Sequence, residues 1–259
     1  MVDNNYFLEV AIDAAQKASL VISSEIQNEL RVDYKGETDL VTNADLRAEE
    51  IIMETISSSF SDHRIITEES GEKVSESEHV WIIDPIDGTT NLVHGYPFYA
   101  VSIAVYSGNK ALAAVVDHIY LNDIYSATDG GGAHCNGKSI FASKTNNLTN
   151  SLLATGFPYK HDHIWAHNID LFRTFTDLTQ GVRRAGSASL DLCHVARGWL
   201  DGYWEFALNS WDIAAGALIV KEAGGTVTNC NGSKFSVFGK EILSSNGFIH
   251  KEIIEHLNN

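Results

Sequence analysis

Carboxylates stand at several places where this chain changes direction. Asp84 and Asp87 close the apolar run of VWIIDPIDGTTNLVHG, residues 80–95, and Glu68 and Glu69 follow the apolar residues of HRIITEES. Asp45 lies in LVTNADLRAEE, and Asp212 follows Trp211 in SWDIAAG. Two carboxylates three residues apart, held by a turn that Pro85 stiffens, can converge on one point. Oxygen-only clusters of that kind suit Mg²⁺, which binds through a few carboxylates plus substrate phosphate. Each residue also has an ordinary reading. Asp-Gly is common turn chemistry, and Thr89 or Asp87 could cap a helix. Glu69 could be a solvated acid, while Asp45 and Asp212 could be helix-start carboxylates favoured by the dipole. Together they place carboxylates at element ends, where sites are usually built.

The overall charge fits a cation-dependent site. The 259 residues carry a formal net charge of -16, which argues against nucleic-acid binding driven by Lys and Arg on phosphates. If the substrate is an anion, positive charge must be imported, and a divalent cation is the usual means. No apolar run approaches the ~20 residues of a membrane span. The start, MVDNNYFLEV, lacks the basic region and apolar core of a signal peptide. Cys135, Cys193 and Cys230 are odd in number and widely spaced, which points to a reduced, cytoplasmic protein without structural disulfides.

Hydrophobic spacing supplies the elements that must position these acids. Leu8, Ala11, Ala15, Ala18, Ile22 and Ile26 give a helix over 6–30. Asn43 is placed to cap a second helix reaching Phe60, with Glu49 and Glu50 on its polar side. HRIITEES and EHVWIID read as strands, and Tyr99–Thr128 as a meander of three strands broken at Ser107-Gly108-Asn109 and Leu121-Asn122. The glycine-rich DGGGAHCNG reads as a hairpin loop; no Lys-Ser or Lys-Thr follows it, so it is no P-loop. Strands at SLLATG, GVRRAG and LDGYWEF then alternate with helices over 162–178, SASLDLCHVARG and WDIAAGALIVKEAGG. Short strands GTVTN and EILSSN and a helix near 247–257 close the chain. The alternation predicts a layered α/β half from about residue 146, joined to an α+β half over about 1–145 as one unit.

The order of DLVTNAD, ITEES, DPIDGTTN, GSASLDL, YWE and WDIAAG resembles the inositol monophosphatase family of Mg²⁺-dependent, lithium-sensitive phosphatases across nearly the whole chain. Its two long motifs match WIIDPIDGTTNLVHG and WDIAAGALIVKEAGG. The resemblance implies a layered αβαβα sandwich, a homodimer and two or three Mg²⁺ ions per subunit. It implies one metal on Glu68, Asp84 and the Ile86 carbonyl, and a second on Asp84, Asp87 and Asp212. Glu68 rather than Glu69 corresponds to the family ligand. Asp45 and Thr89 match the pair that orients and deprotonates the attacking water, which would attack phosphorus directly and in line. Gly88 and Thr89 would offer backbone N–H groups to phosphate. Gly186, Ser187, Ala188 and Glu205 match polyol contacts.

The expected substrate is a small phosphate monoester, myo-inositol monophosphate foremost. Histidinol phosphate, fructose 1,6-bisphosphate, 3′-phosphoadenosine 5′-phosphate and NADP are alternatives, as is a regulatory, partner-binding role. Arg183 and Arg184 read equally as interface charges or phosphate contacts. His161 and His163 read as polar loop residues rather than metal ligands, and Cys193 as core.

Overall fold

The computed structural model describes residues 3–36 and 40–258. Asp39, at the head of DLVTNAD, lies outside them. The chain opens with α1 (Asn4–Gln27), the ribbon strands β1 (Val32–Tyr34) and β2 (Leu40–Thr42), and α2 (Asn43–Ser59). Then come β3 (Arg64–Thr67), β4 (Gly71–Lys73), β5 (His79–Asp87), the short α3 (Thr89–Val93), β6 (Ala100–Ser107) and β7 (Lys110–His118). β8 (Asp123–Thr128), β9 (Gly132–Cys135) and β10 (Lys138–Ser139) end this stretch. The remainder runs β11 (Leu152–Thr155), α4 (His163–Leu178), β12 (Gly181–Arg183), α5 (Ala188–Ala196) and β13 (Gly202–Phe206). It ends with α6 (Ser210–Glu222), β14 (Thr226–Thr228), β15 (Glu241–Ser245) and α7 (His250–Leu257).

Among the described residues, eight strands pair in the order β10-β9-β8-β7-β6-β5-β3-β4 and five in the order β12-β11-β13-β15-β14. Side chains alternate across a strand, so one apolar strand can serve two cores. β5 does this: Trp81 and Ile83 face α1 and α2, while Val80 and Ile82 face α5 and α6. A third core joins the far side of the smaller sheet, through Leu153, Trp204 and Leu243, to Leu171 and Phe175 of α4 and Ile253 and Leu257 of α7. The layers therefore run α1/α2, large sheet, α5/α6, small sheet, α4/α7, the αβαβα sandwich expected. Cys193 is buried in the middle core, and Cys135, Cys193 and Cys230 are all free. No helix of the described residues is long and apolar enough to cross a membrane.

Some local expectations change. Thr42, not Asn43, caps α2: it is extended at φ -122°, and its side chain accepts from Ala44 N–H. Asn43 instead accepts from Arg31 N–H at 2.7 Å and donates to Glu25, which ties α2 to α1. Glu49 is buried rather than on a polar face. The glycine-rich stretch is a loop only in its first part, because Gly132–Cys135 forms β9 against β8.

Candidate active site

β5 runs antiparallel to β6 until the register breaks between Asp84 and Asp87. There the Asp84 carboxylate accepts from Ile86 N–H at 3.0 Å, which folds the turn back on itself. Gly88 follows at φ +98°; a Cβ there would lie 2.9 Å from the Phe98 carbonyl, so the turn requires glycine. Asp87 is fixed from across the molecule. Its Oδ2 accepts from Ser187 Oγ and from Ser189 N–H, each at 2.7 Å. The Ser187 hydroxyl thus orients a carboxylate, a role its motif does not display. Asp212, in the first turn of α6, accepts from Asn209 N–H at 2.6 Å through Oδ2.

Glu68 arrives on the turn after β3. The buried Glu49 carboxylate holds that turn by accepting from Thr67 Oγ1 at 2.5 Å, Glu69 N–H at 3.0 Å and Ser70 N–H at 3.1 Å. Glu68 lines the pocket, and Glu69 does not. Lys35, near the β1–β2 ribbon, spans both acids, with Nζ 3.0 Å from Glu68 and 2.5 Å from Glu69. Burial acts to lower this ammonium, but its bonds to the two glutamates outweigh that and hold it above its ordinary value.

Asp45 is fully buried behind the pocket wall. Thr42 N–H and Oγ1 donate to its Oδ2 at 2.8 and 2.6 Å, leaving Oδ1 to accept from Thr89 Oγ1 at 2.9 Å. Thr89 Oγ1 also reaches the Ile86 carbonyl at 3.0 Å, and Thr89 itself lines the pocket.

These groups meet in a cleft of about 630 Å³. Its lining includes Glu68, Asp84, Ile86, Asp87, Gly88, Thr89 and Asp212, with Gly186, Ser187, Ala188 and Glu205 beside them. Arg184 faces the cleft, whereas Arg183 does not contribute to its lining. His161 lines the cleft, its ring 4.7 Å from Trp165 and tilted by 39°, and Asp162 caps α4 beside it. Asn91 gave no signal in the sequence. Its Nδ2 donates to the carbonyls of Phe98 (2.7 Å), Ala185 (2.9 Å) and Gly186 (3.2 Å), binding the 185–187 loop to α3.

The electrostatics of the cleft follow from crowding acids out of water. Burial first, then the Glu68, Asp87 and Asp212 carboxylates, push Asp84 well above the ordinary range. Asp212 is raised in the same way, by burial and then Asp87 and Glu68. Burial raises Asp87 against the opposing bonds from Ser189 and Ser187, and raises Glu68 against Lys35. Buried charges of one sign are costly unless paired with cations.

A divalent ion would relieve that repulsion, and the donor set is wholly oxygen: carboxylates plus the Ile86 carbonyl. Among the described residues, no group of three or more His, Cys, Asp and Glu side chains is already drawn together to hold a metal. Mg²⁺ takes a few carboxylate and carbonyl oxygens and keeps several waters, which is the chemistry these donors offer. The donors present therefore fit Mg²⁺.

The profile of the inositol monophosphatase family matches residues 3–259. The chain belongs to that family. It is 47% identical to the chloroplastic phosphatase IMPL1 of Arabidopsis thaliana over 97% of this chain and 70% of the relative. It is 41% identical to the Nus factor SuhB of Salmonella typhimurium over 96% of this chain and 95% of that one. Among solved structures, the inositol monophosphatase of Anabaena superposes with a TM-score of 0.88 at 37% identity, covering 98% of this chain and 96% of the other.

Proposed function

We propose that the family member described here hydrolyses small phosphate monoesters with Mg²⁺, myo-inositol monophosphate foremost, by direct in-line attack of water. The observation that carries this reading is the meeting of Glu68, Asp84, Asp87 and Asp212 in one cleft beside the Asp45–Thr89 pair. Glu68, Asp84 and the Ile86 carbonyl would hold one ion, and Asp84, Asp87 and Asp212 a second. Bound Mg²⁺ supplies neutralisation of the phosphate and of the departing oxygen, together with activation of water.

The chain's own groups do the rest. Thr89 Oγ accepts a hydrogen bond from the attacking water and points its own proton at Asp45, whose carboxylate the two Thr42 donors fix in place. Gly88 and Thr89 bring backbone N–H groups toward the phosphate. Glu205, which also lines the cleft, would meet a hydroxyl of the leaving group.

Phosphate release from a panel of inositol 1-phosphate, histidinol phosphate, fructose 1,6-bisphosphate, 3′-phosphoadenosine 5′-phosphate and NADP, with Mg²⁺ and then with added Li⁺, tests the reading. Fastest turnover of inositol phosphate, inhibited by Li⁺, is the expected result. No turnover of any ester sinks it.

The relation to a Nus factor favours a second reading, partner binding beside catalysis; the cleft's full set of carboxylates supports catalysis as the first. A homodimer is part of the proposal. An aromatic surface supports it, running from exposed Tyr96 through Phe98 and His194 to exposed Trp199, with ring separations of 6.5, 5.3 and 4.9 Å. Light scattering reads the oligomeric state directly.

A further inference from the structure

One carboxylate that lines the cleft outside the proposed metal set is held with unusual care. Glu205 lies on β13 and lines the cleft, while Tyr203, two residues earlier on the same face of the strand, does not line it. The Tyr203 hydroxyl donates to Glu205 Oε2. Gly156, with no side chain, lies against the same carboxylate. A Cβ there would come within 2.1 Å of Glu205 Oε2 and 2.2 Å of its Cδ and Oε1.

Gly156 is itself immobilised. Its carbonyl accepts from Asn168 Nδ2 at 2.6 Å, and Asn168 Oδ1 accepts from Trp204 Nε1 at 2.7 Å. Asn168 and Trp204 are both fully buried, so Gly156 cannot move without breaking a buried network, and the Tyr203 side chain is itself fully buried. Burial pushes Glu205 up to about 7, and the Tyr203 hydrogen bond opposes that rise by favouring the charged, accepting form.

We propose that Tyr203 and Gly156 are positioning residues that fix Glu205 as the acceptor for a hydroxyl of the leaving group. Loss of either residue is therefore felt by esters of polyols and not by esters whose leaving group offers no hydroxyl. The inference rests on the hydrolase reading above, with Glu205 as its polyol contact, and adds which groups of this chain hold that carboxylate in place.

Tyr203→Phe keeps the ring and removes the donor; Gly156→Ala keeps the donor and drives a methyl into the carboxylate. Both variants are compared with wild type at saturating Mg²⁺, on inositol 1-phosphate and on p-nitrophenyl phosphate, whose leaving group has no second hydroxyl. KM for inositol 1-phosphate is expected to rise about tenfold in each, with kcat little changed. Both constants for p-nitrophenyl phosphate are expected to hold. Equal losses on the two esters, or no loss on inositol phosphate, overturn the inference while leaving the hydrolase reading intact. No turnover of either ester by wild type overturns both.

Discussion

Thr89 Oγ1 donates to Asp45 Oδ1 across 2.9 Å, joining the first turn of α3 to the first turn of α2, two elements 44 residues apart. If this pair handles the proton of the attacking water, Thr89→Val lowers kcat by about 10²–10⁴-fold with little change in KM, while Thr89→Ser retains most activity. Steady-state phosphate release reads both constants. A Thr89→Val enzyme with near-normal kcat would remove Thr89 from the chemistry.

Asp87→Asn is expected to abolish turnover in a folded protein. The asparagine can still accept from Ser187 and Ser189, but its other atom turns an amide rather than an oxygen toward the cleft. Relief of repulsion with Asp84 and Asp212 keeps the metal-free melting temperature at or above that of wild type. Calorimetry and activity measured on one preparation decide the matter; near-normal activity would displace Asp87 from the metal set.

Glu49→Ala leaves three donors on the β3 turn without their acceptor, the buried Thr67 hydroxyl and the part-buried Glu69 and Ser70 N–H groups. A loss of about 2–4 kcal/mol in unfolding free energy follows. Because that turn carries Glu68, the Mg²⁺ concentration giving half-maximal activity rises as well. Urea titration and Mg²⁺ activation curves check the two effects, and an unchanged Mg²⁺ curve would detach Glu49 from the site.

The metal-free protein is expected to lose stability as pH rises through neutrality. Glu69 and Glu205 are each pushed up to about 7 from 4.5, by burial first. An acid raised on folding stabilises while protonated, fully so below its unfolded value, and that contribution disappears as pH climbs through about 7. His194 and His250, lowered to about 4 by burial, act oppositely, and only as pH falls below their unfolded value of 6.5. In EDTA, the melting temperature should therefore fall between about pH 6.5 and about pH 8, and Mg²⁺ should restore it at the higher pH. A flat or rising profile in EDTA would contradict the acid-crowding account.

Much of this architecture was visible in the chain because apolar periodicity and element-end acids are local signals. The α2 stripe, the β5 run and the β6–β8 meander are read from neighbouring residues alone. Glu49 was hidden, since a glutamate in a helix looks solvated until its partners, 18 to 21 residues away, are known. Asn91 and Ser187 act across 94 and 100 residues, on partners that no spacing rule connects. Thr42 and Asn43 cannot be told apart from sequence as the cap of α2, because both residue types cap well and only the backbone angle separates them. The ribbon of β1 and β2 is three residues per strand, too short for alternation to register.

The helix that begins at the cleft with Asp212 also packs against both sheets, touching β5 to β9 on one side and β14 and β15 on the other. Sequence drift should consequently meet very different resistance in different layers. Substitutions on the outer faces of α4 or α7 disturb one core at most, and laboratory evolution can explore them freely. Those along α6 are judged by the faces of two sheets and a carboxylate at once, so gains in heat resistance won there will tend to be traded against turnover.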